Sequence, residues 1–114
     1  MALAILALVG IGIGSLLPAG PEYVRRLPAV LPDHHLMGYT AAGLLLGIGL
    51  SARIGMTLGI IAALTVYGAL IELAQELAPN RGADIRDFWL NVAGASLGSV
   101  TAWAIGSWWR WWSP

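Results

Sequence analysis

Long apolar stretches separated by short polar breaks set the pattern of this chain. Four such stretches run over residues 2–17, 36–52, 54–78 and 88–109, each near the length that crosses a bilayer as a helix. The pattern predicts an all-α fold, an integral membrane bundle of four transmembrane helices forming a single domain over residues 1–114. The first break carries Pro18, Gly20, Pro21, Pro28 and Pro32, which exclude one continuous helix. The second, Ser51-Ala52-Arg53, is short enough to force a helical hairpin, and the third, Pro79-Asn80-Arg81-Gly82-Ala83, is a turn.

Small residues recur at four-residue spacing on every stretch: Gly10 and Gly14, Gly43 and Gly47, Gly55 and Gly59, Gly94 and Gly98. In lipid this spacing lets helix backbones approach closely, because packing rather than water exclusion drives association. The expectation is a tightly packed bundle.

Composition sharpens this. The chain is 58% hydrophobic and 11% charged, with a mean hydropathy of +0.75, too apolar for an ordinary soluble domain. Six arginines balance six acids and lysine is absent, so no basic surface exists for a nucleic-acid backbone. The expected surroundings are the lipid bilayer and other membrane subunits. Without cysteine there is no disulfide, thiolate nucleophile or sulfur-ligated metal. The first stretch lacks a basic n-region and reads as a retained first helix rather than a cleaved signal peptide. The tail Trp108-Trp109-Arg110-Trp111-Trp112 has the character of an interfacial anchor, with a docking surface as its alternative.

With four spans, the start of the second helix, the end of the third and the start of the fourth share one membrane face. That face gathers His35 and Tyr39, Glu72 and Gln75, then Arg81, Asp84, Asp87 and Asn91. Glu72 is the most informative, because a carboxylate in an apolar stretch requires a partner or a proton. Arg81, His35 and a bound cation are its candidate partners, and a packing ion pair is the alternative to a site. Asp84, Asp87, Asn91, Gly94 and Gly98 fall on one stripe of the fourth helix. Asp84 and Asp87 also suit an N-cap and the positive helix end, and Asn91 suits an interhelical hydrogen bond. His35, Glu72 and Asp87 are the candidate acid–base residues, with Tyr39, Gln75, Arg81, Asp84 and Asn91 as candidate binding residues. Those three also have ligand types for a divalent metal, but zinc-like spacing is absent, so no metal or other cofactor is assigned. Common hydrolase and nucleotide-binding motifs are missing.

The run Tyr67-Gly68-x-x-x-Glu72-x-x-Gln75-x-x-x-Pro79-x-Arg81-x-x-Asp84-x-x-Asp87-x-x-x-Asn91-x-x-Gly94 resembles the motif of the VanZ-like family of small membrane proteins. His35 and Tyr39 match the family's histidine and following aromatic. The resemblance covers roughly Pro32 to Ala104. It departs where the family has an Asp-Lys pair four residues before the histidine and this chain has Leu31 and Pro32. The resemblance implies a four-helix membrane fold and an association with resistance to a glycopeptide antibiotic, but no mechanism.

Two functions follow as expectations. One is a polar site at one face of the plasma (inner) membrane that acts on or binds an envelope lipid or amphiphile. The other is a noncatalytic accessory subunit packed against a larger membrane complex, such as a photosynthetic or respiratory assembly. Orientation reads both ways: a count of arginines puts the polar face inside, whereas the resemblance implies that it lies outside.

Overall fold

The computed structural model describes residues 1–17, 33–51, 53–78 and 82–113. It contains four α-helices, α1 (Ala2–Leu16), α2 (His34–Gly49), α3 (Ile54–Gln75) and α4 (Ile85–Trp112), and no strand among the described residues. The proline-rich connection, Arg25, Arg26, Ala52, Pro79, Asn80 and Arg81 lie outside the described residues.

Caps decide where α2 and α4 begin. Asp33 accepts a hydrogen bond from the backbone N–H of His35 at 2.9 Å, so α2 starts at His34, two residues before the expected start at Leu36. Asp84 accepts from Arg86 N–H at 2.8 Å and moves the start of α4 from the expected Phe88 to Ile85. Each cap satisfies a helix N–H that has no intrahelical acceptor. Between α2 and α3, Ser51 takes φ 48°, the left-handed conformation that reverses the chain.

The most extensive interface joins α2 to α4, which run parallel. A side chain on Gly43 would strike the Ala95 carbonyl and Ser99, and one on Gly47 would strike Ala102. One on Gly94 would meet the Leu36 carbonyl, and one on Gly98 would overlap the Thr40 carbonyl. Both glycine pairs therefore form a seam where backbone lies on backbone. Gly10, Gly14, Gly55 and Gly59 face open space instead. The close packing expected of all four pairs holds for two of them.

Helix α3 runs antiparallel to this pair, and α1 packs against α2 and α3. Tyr39, Ala42, Ile60, Leu64 and Ala95 form the apolar core. Two polar ties hold α1: Tyr67 Oη donates to the Leu8 carbonyl at 2.7 Å, and Gln75 Nε2 donates to the Ser15 carbonyl at 2.9 Å.

The distribution of polarity is inverted relative to a soluble protein. His35, Thr57, Glu72, Gln75, Asn91 and Ser99 are buried, while Leu3, Leu6, Leu58, Val66, Leu70, Leu97 and Ile105 are all more than half exposed. An exterior this apolar requires hydrocarbon rather than water around it. Helices α3 and α4, at 22 and 28 residues, are long and apolar enough to cross a membrane, with 28% and 33% of their most apolar stretches buried inside the bundle. Helices α1 and α2, at 15 and 16 residues, fall below the ~20 residues of a typical span. The sequence expectation of four spans is thus met in length by two helices.

Candidate functional site

Three helices deliver ionisable side chains to one end of the bundle. His35 comes from the first turn of α2, Glu72 from the last turn of α3 and Asp87 from the first turn of α4. Each offers a ligand-type atom, and these atoms lie within 4.8 Å of one another. His35 and Glu72 are buried, and the Asp87 side chain is 26% exposed.

His35 is held at both ring nitrogens. Nε2 lies 3.3 Å from Asp87 Oδ2, and Nδ1 lies 3.0 Å from Asn91 Oδ1. With the amide oriented so that its carbonyl faces the ring, Nδ1 carries the proton and donates. Nε2 then presents a lone pair to the Asp87 carboxylate, and two acceptors 3.3 Å apart need a proton or a cation between them. The α2 and α4 first turns are in register because the glycine seam keeps the helices parallel and close.

Glu72 is fixed differently. The backbone N–H of Asp84 donates to its Oε2 at 3.1 Å, while Oε1 has no hydrogen-bond partner among the described residues. Of the partners expected for this carboxylate, His35 is within reach, and Arg81 lies outside the described residues. Two carboxylates this close repel unless a proton, an imidazolium or another cation stands between them.

The candidate binding residues separate into groups. Tyr39 is 1% exposed and its hydroxyl has no hydrogen-bond partner among the described residues. A Cβ on Gly68 would stand 3.3 Å from that hydroxyl and 3.1 Å from Asn91 Nδ2, so both polar atoms crowd the bare backbone one turn before Glu72. Asn91 is fully buried and contacts His35. Gln75 is directed to the Ser15 carbonyl of α1, and Asp84 caps α4 and supports Glu72 through its backbone. The Asp84 carboxylate is not part of the group that His35, Glu72 and Asp87 form.

Sequence reasoning missed two supports. Gly68 leaves room for Tyr39 and Asn91, and its position four residues before Glu72 places it on the same helical face. Asp33 caps α2 and approaches Arg86 across the helix starts, at 4.0 Å. Its position immediately before a helix was the available signal.

Two clefts flank the cluster. One, of about 280 Å³, is lined by Gly10, Ile11, Gly14 and Ser15 of α1 and by His34, His35 and Tyr39 of α2. The other, of about 410 Å³, is lined by Ala69, Glu72, Leu73, Ala83, Asp84, Ile85 and Phe88. His35 thus faces one cleft and Glu72 the other, with Asp87 between them.

Apolar exterior, polar interior and a histidine–carboxylate cluster at one end of the bundle define a helical membrane protein. Residues 6–106 match the family model described as VanZ/LLP1, and the chain belongs to that family. No curated protein and no solved structure matches it.

Proposed function

We propose that this chain is a four-span protein of the plasma (inner) membrane that binds the polar head of an envelope lipid or amphiphile at His35, Glu72 and Asp87 and exchanges protons with it. Tyr39 and Asn91 line and orient that site, and Arg81, which precedes α4 in the sequence, supplies positive charge for an anionic head. The observation that carries the reading is the pairing of the cluster with an apolar cleft. His34 and His35 share a mainly apolar cleft with Gly10, Ile11 and Gly14, which suits an acyl chain with a polar head. Proton exchange follows from His35, whose Nδ1 is occupied by Asn91, leaving Nε2 and Asp87 as the exchanging pair.

Lipid retained by the detergent-purified protein, identified by native mass spectrometry, tests this. Gly14→Leu fills the cleft and is expected to abolish the retained amphiphile, while His35→Ala weakens it. Retention unchanged in both variants, each eluting as a folded species, would overturn the reading.

A second reading is favoured by Gly55 and Gly59, which offer α3 a flat strip facing open space. Such a strip suits close approach of a helix from another subunit, as in an accessory component of a larger membrane assembly. Comigration with that assembly in mild detergent, lost in Gly59→Leu, is its test.

A further inference from the structure

The same cluster has the donor set and the charge balance of a metal centre. We propose that His35 Nε2, Asp87 Oδ2 and the Glu72 carboxylate bind one divalent transition-metal ion of the zinc class. The metal site stands on side-chain geometry alone; where it is filled, the ion takes the place of proton exchange at His35 Nε2 and Asp87 as the group that meets an amphiphile's head, a role that rests on the proposed function above.

Four observations converge on it. First, the separation of 3.3 Å between His35 Nε2 and Asp87 Oδ2 equals the ligand-to-ligand edge of about 3.3 Å that two bonds of about 2.0 Å make at a tetrahedral ion. Second, Glu72 Oε1 belongs to a residue only 6% exposed and has no donor among the described residues. A buried carboxylate oxygen with no partner is what a cation satisfies. A Glu72 carboxylate oxygen lies within 4.8 Å of the other two ligand-type atoms, so Glu72 closes on the ion by a small shift of its side chain. Third, Asn91 accepts from Nδ1 and holds the imidazole in the tautomer whose Nε2 lone pair points at Asp87. This is the outer support that metal-binding histidines carry. Fourth, two carboxylates and a neutral imidazole sum to a charge that one dication cancels.

One imidazole and two carboxylates without a thiolate favour zinc, manganese or iron over calcium, which prefers an all-oxygen shell of six or more ligands. Three protein ligands leave a coordination position open to the flanking clefts, as in sites that bind a substrate or water on the metal.

Tag-free protein, stripped with chelator in detergent and titrated with Co²⁺ as the spectroscopic probe, tests the proposal. The expected result is one Co²⁺ per chain, with the visible absorption of a low-coordinate nitrogen–oxygen site, displaced by Zn²⁺. Asp87→Asn and Glu72→Gln, which keep side-chain shape, each weaken binding by at least tenfold. Asn91→Ala weakens it by about tenfold through the His35 ring, and Glu76→Gln, at an exposed position, leaves it unchanged. Wild-type protein that takes up no Co²⁺ or Zn²⁺ overturns the proposal without reference to any variant's folding. So does stoichiometric binding that both isosteric variants retain. Lipid retention measured in parallel, with and without chelator, separates the two readings. Retention without metal uptake refutes the metal site alone, and metal uptake without retention refutes the amphiphile reading alone.

Discussion

The backbone N–H of Asp84 donates to Glu72 Oε2 at 3.1 Å, so the residue that caps α4 also fixes the carboxylate that ends α3. One residue therefore does two jobs through different atoms. Its carboxylate starts a helix, and its amide anchors the cluster.

Separating those jobs gives a first prediction. Asp84→Ala removes the cap but keeps the amide, so it costs about 1 kcal/mol of stability and leaves amphiphile retention intact. Glu72→Leu leaves that amide without its acceptor and costs about 1–3 kcal/mol. Thermal unfolding in detergent, with lipid retention measured on the same samples, checks both.

Asp33→Ala should resemble Asp84→Ala in cost, about 1 kcal/mol. The contact of Asp33 with Arg86 is long, at 4.0 Å, and the Arg86 side chain is 73% exposed, so the ion pair adds little. Arg86→Ala is accordingly expected to stay within about 0.5 kcal/mol of wild type, and a double-mutant cycle measures the remainder.

The glycine pairs give opposite outcomes for one substitution. Gly98→Ala drives a methyl group into the Thr40 carbonyl and should cost about 3 kcal/mol or more, because backbone cannot yield as a side chain does. Gly10→Ala meets nothing within 4 Å and should change stability by less than about 1 kcal/mol. Unfolding midpoints of the two variants check the contrast.

Gly68→Ala tests the space beside the cluster. Its methyl group would press on Asn91 and Tyr39 at 3.1–3.3 Å, so those side chains shift by a few tenths of an ångström and the hold of Asn91 on His35 loosens. Amphiphile retention should fall severalfold while helicity by circular dichroism stays at the wild-type level.

The C-terminal end reports depth. Helix α4 has 28 residues, about 42 Å at 1.5 Å per residue, longer than the ~30 Å hydrocarbon layer. Trp108, Trp109, Trp111 and Trp112 are 64–79% exposed and belong at the headgroup level. In liposomes their fluorescence should be quenched more by lipids labelled near the headgroup than by lipids labelled at the chain end. The reverse order would place the tail inside the bilayer.

Much of this arrangement was legible in the order of apolar runs. Alternating helices put the beginnings of α2 and α4 beside the end of α3, which is why His35, Glu72 and Asp87 group together on the sequence alone. The lateral order of the helices was not legible, and it turns the Gln75 amide to the Ser15 carbonyl of α1. Spacing also cannot tell which way a glycine stripe faces. Gly43 and Gly94 look inward and Gly10 and Gly55 look outward, though all four belong to the same sequence pattern. Asp33 and Asp84 show the same limit at helix ends, where a capping hydrogen bond outweighs hydropathy in setting the first residue.

The backbone-to-backbone seam between α2 and α4 has a mechanical consequence. Where backbone meets backbone there is little room for change at the joint, so those two helices act as one spine, bridged near its end by the His35–Asn91 contact. Glu72 rides on α3, outside the spine, and is joined to it through the backbone N–H of Asp84 at the start of α4.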